Sequence, residues 1–253
     1  MSNALIGFSG FVGSTLLKQG NFESIYRSTT INGIDGQTFD TVVCAGAPAQ
    51  KWIANQEPEA DRQKIEGLIA HLRSIQCKTF ILVSTVDVFK SPVDVDEDAP
   101  VDESGLHAYG LHRRLLEKFV ESHFTNYLIV RLPGLVGPGL RKNVIFDFLN
   151  ENNVHVIDSR GVFQFYPMVN LWYDIQTSLN AGLRLVHLTA APISVRRFPS
   201  KVLESPLIIP WPPHRLHTIC VPVMPAFSVP RGITNTASAK PSRPSGPMHN
   251  LSQ

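Results

Sequence analysis

The strongest constraint on this chain is the spacing Gly7-x-x-Gly10-x-x-Gly13. It follows the apolar Ala4-Leu5-Ile6 and leads into Ser14–Gln19, a short helical stretch with apolar Leu16 and Leu17. A strand that turns directly into a helix asks for glycine at three points. The first permits the tight turn, the second lets the backbone approach a pyrophosphate, and the third lets the helix pack against the strand. Between them Ser9, Phe11 and Val12 open a helix whose N-terminal N–H groups and positive dipole end suit phosphate. The motif therefore reads as a dinucleotide-binding loop. A second strand should end in Asp or Glu for an NAD ribose. The candidate Ser24–Ser28 ends instead in Arg27 and Ser28. Arg27 suits a 2′-phosphate, which favours NADP over NAD. Asp35, about 22 residues past Gly13, is the competing acid.

The rest of the chain as far as residue 197 supports one fold. Short, near-continuous apolar runs recur at Thr41–Ala45, Thr79–Val83, Tyr127–Leu132, Val154–Ile157 and Leu183–Leu188. Runs of this kind are strands buried on both faces. Between them, Ile65, Leu68, Ile69, Leu72 and Ile75 mark one helical face behind Pro58. Leu111, Leu115, Leu116, Phe119 and Val120 mark another. The alternation predicts an α/β fold, a doubly wound, Rossmann-like parallel sheet with helices on both faces and an irregular C-terminal tail.

Four further stretches, in order, carry a resemblance. They are Val42–Ala47, Leu82–Phe89, Tyr109-Gly110-Leu111-His112-Arg113 and Ile129–Gly139. With the widely spaced glycines, the chain resembles the extended short-chain dehydrogenase/reductase superfamily, and within it the NAD-dependent epimerase/dehydratase family, over residues 3–196. The resemblance implies that Ala45, Gly46 and Ala47 end a strand against the cofactor, and that Thr85 is the active-site Ser/Thr. It implies that Tyr109 is the catalytic tyrosine, with Arg113 in the place of the family's lysine. It sets Pro133 beside the nicotinamide. A homodimer through the helix of Tyr109 is a further expectation of the resemblance.

The chemistry so implied is hydride transfer between a nicotinamide and a substrate alcohol or carbonyl. A tyrosine near pKa 10 is a poor base at neutral pH. A cation one helical turn away, at residue 113, should lower it. Arginine is longer and planar, so the replacement of lysine is not conservative. Thr85 should hydrogen-bond the substrate oxygen. Asn143, Gln164 and Tyr166 are candidates for substrate contact, whereas Trp172 and Asp174 read as parts of a packing helix. His107 and His112 have no motif behind them and read as surface residues, and Arg113 and Arg114 also suit a solvated helix face. Asp94–Asp98, Asp102 and Glu103 lack the ligand alternation and turn glycine of a cation loop, so no metal is expected.

Beyond residue 197 the character changes. Residues 1–197 hold 18 Lys/Arg and 20 Asp/Glu, while 198–253 hold five Lys/Arg, the single acid Glu204, and 11 of the 19 prolines. Neither helix nor strand periodicity survives such proline density. Residues 198–253 are therefore expected to be a proline-rich tail, disordered or non-native, standing in place of the remaining substrate lobe. A net acidic body makes a nucleic-acid partner a poor reading. No apolar run approaches the roughly 20 residues of a membrane span. The glycine motif lies too near Met1 for a preceding signal peptide. Cys44, Cys77 and Cys220 are too scattered for a disulfide framework or paired-Cys zinc motif and suit a reducing, cytoplasmic compartment. The leading expectation is an NADP- or NAD-dependent oxidoreductase or epimerase acting on a sugar nucleotide or small carbonyl compound. The alternatives are a non-catalytic dinucleotide-binding module, or an inactive product with a truncated substrate lobe.

Overall fold

The structure, a computed structural model, describes residues 2–92 and 94–198. Apart from Phe198, the proline-rich tail lies outside the described residues. Within them the strands are β1 (Asn3–Ile6), β2 (Ser24–Tyr26), β3 (Thr38–Cys44), β4 (Gln76–Thr85), β5 (Tyr127–Leu132), β6 (Gly134–Val136), β7 (Val162–Phe163), β8 (Phe165–Pro167), β9 (Leu185–His187) and β10 (Ile193–Ser194). The α-helices are α1 (Phe11–Gln19), α2 (Lys51–Gln56), α3 (Pro58–Leu72), α4 (Ala108–His123), α5 (Val144–Leu149) and α6 (Leu171–Asn180).

Six strands form one parallel sheet in the order β2-β1-β3-β4-β5-β9. The chain leaves β1 for β2 on one side and then returns to place β3 on the other. The carboxyl ends of β1 and β3 therefore flank the point where strand order reverses, the usual ligand crevice of such sheets. Only a 3-10 turn, Ile31–Ile34, links β2 to β3.

The apolar runs are continuous because both faces are covered. Ala4, Ile6, Val42, Cys44, Phe80, Leu82 and Ile129 face Ile65, Ile69 and Leu72 of α3 and Leu116 and Val120 of α4. The alternate residues Leu5, Val43, Ile81, Val83, Leu128 and Val130 face Leu16 of α1 and Leu171 and Ile175 of α6. Successive side chains of a strand point to opposite faces, so each run feeds two cores. A third, smaller cluster of Val136, Ile145, Phe165, Val195 and Phe198 gathers the chain after β5. Here one expectation fails. Val154–Val156 is a 3-10 turn rather than a strand. Val156 is 56% exposed and no described neighbour strand pairs with this run, so its apolar residues had no sheet to join.

Helix α4 buries a stripe of Tyr109, His112, Arg113, Leu116, Glu117 and Val120. Its charged members are paired. Arg131 of β5 donates Nε to Glu117 Oε1 at 3.0 Å and its terminal nitrogen to Oε2 at 2.7 Å. Ser84 donates to the same carboxylate at 2.6 Å, and Arg114 does so at 3.0 Å. Beyond Arg131 lies His187 of β9, its Nε2 3.4 Å from an arginine nitrogen. Its backbone N–H donates to Glu97 of the acidic loop at 2.8 Å. Burial, and then the Arg131 charge, push the His187 imidazole down to about 4, against the opposing pull of Asp96.

A histidine held neutral in the native state and near 6.5 when unfolded lets the unfolded chain bind the extra proton between those values. Stability contributed by His187 is therefore complete above about pH 6.5 and is lost as pH falls towards 4. The urea midpoint is expected to fall between pH 7 and pH 4.5, and His187→Gln to flatten that slope. An unchanged slope in the variant would refute the assignment.

Candidate active site

The glycine loop is built by close approach. Gly7 has φ +86°, a region where an L side chain is strained, and a Cβ there would lie 2.3 Å from the Ala45 carbonyl oxygen. A Cβ at Gly13 would lie 2.0 Å from the Gly7 carbonyl oxygen. Both glycines are thus demanded by the protein's own packing. Gly10 is different. Its φ of −77° suits any residue, and a Cβ there would stand 3.4 Å from its nearest neighbour, the Gly7 carbonyl oxygen. The fold does not need glycine at 10, and the bare backbone there faces outward. Ser9 and Gly10 are exposed, and α1 begins with no side-chain cap and no acid in its first turn. These features fit the diphosphate of a dinucleotide.

Two loops extend the groove. Gly7 N–H donates to the Tyr26 carbonyl at 2.7 Å, which sets Arg27 and Ser28, both exposed, directly beyond the glycine turn. The competing acid Asp35 lies before the first residue of β3, at the opposite edge of the sheet, bonded to His71 Nδ1 at 2.8 Å and to Ser74 at 3.2 Å. On the other side the Ala45 N–H donates to Ile6 at 2.9 Å, so Ala45, Gly46 and Ala47 line the crevice beyond β3.

Thr85, the last residue of β4, and Tyr109, in the first turn of α4, are brought near enough for the threonine hydroxyl to act on the phenol and pull its pKa down. Thr85 Oγ1 also accepts the Asp87 N–H at 3.1 Å. Pro133 follows Leu132, the β5 partner of Thr85. A Cβ at Gly110 would lie 2.2 Å from the Asp87 carbonyl oxygen, so this glycine is what lets α4 approach the end of β4. The Asn55 side chain accepts the Tyr109 N–H at 3.0 Å, and the His107 ring accepts the Gly110 N–H at 2.9 Å. His107 is therefore a helix cap rather than a surface residue.

Arg113 stacks its guanidinium 4.1 Å from the Tyr109 ring centre. Its edges are held elsewhere. Asp61 of α3 takes it bidentately at 2.5 and 3.0 Å, and the Pro48 carbonyl accepts a further bond. His112 meets the same Asp61 carboxylate at 2.7 Å. His112 and Arg113 are 7% and 2% exposed, which corrects the expectation of a solvated face. The reason lies in Asp61. It sits four residues before Ile65, in register with the buried stripe of α3, and needs cationic partners. That register was visible in the sequence, as a carboxylate on an apolar face. Burial pushes the Asp61 carboxyl up, but its bonds to Arg113 and His112 outweigh this and hold it low.

The expectation that Arg113 lowers the Tyr109 pKa is outweighed in the same way. Burial drives the phenol up to about 12. Arg113 and the Thr85 hydroxyl pull it down, while Asp87 and Asp61 push it up. Asp87, which the sequence reading passed over, is paired with Lys51 at 2.7 Å.

The three substrate candidates are committed elsewhere. Asn143 caps α5, accepting from Ile145 and Phe146 at 3.0 Å and donating to Leu135 at 2.8 Å. Gln164 is 3% exposed and donates to Ala190 at 3.1 Å. Tyr166 is fully buried, with its hydroxyl on Asp174 at 2.6 Å and its pKa raised by burial and that carboxylate. Their polar side chains hold the chain after β5 together. Trp172 and Asp174 lie on α6, as expected.

No protein-family model matches the chain, and no curated protein matches its sequence. Solved structures do match its fold. A dTDP-4-dehydrorhamnose reductase from Clostridium acetobutylicum superposes with a TM-score of 0.64 at 19% identity, over 80% of this chain and 79% of that one. The reductase of the same name from Bacillus anthracis, in complex with NADP, gives 0.62 at 16%, over 80% of each chain. A UDP-glucuronic acid 4-epimerase from Bacillus cereus, in complex with NAD, gives 0.62 at 15%, over 80% and 81%. The likeness is one of fold. The fold is Rossmann-like, a parallel sheet with helices on both faces, as the sequence pattern predicts. No helix among the described residues is long and apolar enough to cross a membrane.

The contrast between the glycines gives a stability test. Gly13→Ala is expected to lower the melting temperature by several degrees, because its methyl meets backbone. Gly10→Ala should leave it within about 0.5 kcal/mol of the parent, the usual range for a surface change. Equal effects at both positions would overturn the packing argument.

Proposed function

We propose that the protein binds a nicotinamide dinucleotide at the glycine loop and reduces a carbonyl of a sugar nucleotide or small carbonyl compound. The observation that carries this reading is Gly10, bare where the fold has no need of it, beside a crevice that ends at the Thr85–Tyr109 pair. The reductases and epimerases of like fold act on sugar nucleotides by their names, which supports that substrate class. The bound nicotinamide would supply the hydride.

The chain's own residues do the rest. Tyr109 keeps its proton at neutral pH, because its phenol is pushed up to about 12. That makes it a donor to an oxygen that becomes alkoxide, and a weak base for the reverse reaction. Thr85 has one hydroxyl proton, which it would turn from the phenol oxygen to the substrate oxygen once substrate is bound. Arg113 is a positioning residue. Gripped by Asp61 at its two terminal nitrogens, it presents its face to the Tyr109 ring.

Gly10→Val should abolish dinucleotide binding, followed by nicotinamide fluorescence, without unfolding the protein. Tyr109→Phe should keep binding and lower single-turnover hydride transfer by about 10²-fold or more. Unchanged turnover in Tyr109→Phe would overturn the role of Tyr109, and dinucleotide binding with no hydride transfer by the parent protein would leave the non-catalytic dinucleotide module as the reading.

For the cofactor, Arg27 supports NADP, being exposed just past the carboxyl end of β2 with Asp35 tied down at the far edge. Arg27→Ala should weaken NADP binding about tenfold while sparing NAD, the scale of one charge-assisted contact. Equal losses for both cofactors would count against a 2′-phosphate contact.

A further inference from the structure

Three cations converge on the short wall that follows β3. Arg113 donates to the Pro48 carbonyl, Lys142 Nζ donates to the Ala49 carbonyl at 2.8 Å, and Lys51 is the next residue but one. Two of the three are neutralised by carboxylates, Arg113 by Asp61 and Lys51 by Asp87. Lys142 has no carboxylate within ion-pair distance among the described residues, and its bond is to a neutral oxygen. The residue is exposed, yet the protein crowds its ammonium enough to lower the pKa by desolvation. A cation in that position gains from an anion more than from a carbonyl.

The backbone shows where the anion would lie. Gly137-Pro138-Gly139-Leu140 forms a turn closed by Leu140 N–H to the Gly137 carbonyl at 3.2 Å, with Gly139 at φ +88°. Proline followed by a positive-φ glycine is the signature of a type II turn. The turn brings Gly139 to Phe11 of the glycine loop, where a Cβ would sit 3.9 Å from the ring. Residues 139 and 142 thus touch both walls of the crevice, one at the carboxyl end of β1 and one at that of β3. The strap spans the groove at the strand-order switch, and of its two cations, Arg141 and Lys142, it is Lys142 that is seated on the wall after β3 without a carboxylate.

We propose that Lys142 is a diphosphate-binding residue that rests on Ala49 in the free protein and transfers its ammonium to the diphosphate of a bound nucleotide. The ligand chemistry is a diphosphate ester, from either the dinucleotide or a sugar-nucleotide substrate. The inference rests on the reading of the groove as a nucleotide site.

Its test is calorimetric titration of the full chain and of Lys142→Met and Lys142→Arg, with NADP⁺, with UDP and with adenosine. Lys142→Met should weaken one of the two diphosphates about tenfold, flatten its salt dependence, and leave adenosine unchanged. Lys142→Arg should retain most of the affinity. Loss with NADP⁺ assigns the residue to the dinucleotide, and loss with UDP assigns it to the substrate. Unchanged or tighter binding of both by Lys142→Met would overturn the proposal and leave the lysine as a latch alone. If the parent protein binds UDP but neither NADP⁺ nor NAD⁺, the dinucleotide reading fails and the UDP titration still judges Lys142. If the parent binds none of them, both fail.

Discussion

Helix α4 turns charged side chains inward, and much of the site depends on how they are matched. Along one buried stripe, Arg113 meets Asp61 from α3, and Glu117 meets Arg131 from β5. The first joins α4 to a helix 52 residues earlier, and the second ties it to the strand that follows. Breaking either would strand a charge in the interior, a cost of about 3–5 kcal/mol. The same stripe begins with Tyr109, so the pairs that hold α4 also fix the phenol over the end of β4. Gly110 permits the close approach, and the His107 and Asn55 side chains cap the first turn.

This arrangement changes the meaning of the arginine at 113. A lysine there would carry a compact, mobile ammonium, whereas a guanidinium carries a planar fork that a carboxylate can grip with two bonds. Asp61 supplies that grip, and the guanidinium face is left to the Tyr109 ring. Its charge acts on the phenol through stacking while burial acts against it, and burial prevails. The result is a tyrosine that keeps its proton at neutral pH.

The glycine loop, by contrast, follows a division of labour. Gly7 and Gly13 are needed because backbone meets backbone at 2.0 to 2.3 Å from their missing side chains. Gly10 is free of that pressure and exposed. The strap at Gly137–Lys142 reaches the Phe11 ring at one end and the Ala49 carbonyl at the other. The side chains once considered for substrate, Asn143, Gln164 and Tyr166, instead stiffen the segment from which that strap is hung.

The amino-acid sequence by itself determined the fold class, the order of the strands along the chain, the helix stripes and the three glycines. These depend on local periodicity and on backbone geometry, which neighbours in sequence report directly. It also placed Thr85 and Tyr109 where strand and helix ends meet. It misjudged Val154–Val156, because an apolar run is a strand only if a sheet edge is there to receive it. It misjudged His107, His112, Arg113 and Tyr166, because burial of a polar group depends on partners 8 to 52 residues away or, for His107, on the tight seating of α4 against Asp87. Only the tertiary structure decided which cations on the wall after β3 are neutralised and which is left over, since charge pairing is settled by distance in space and not by spacing along the chain.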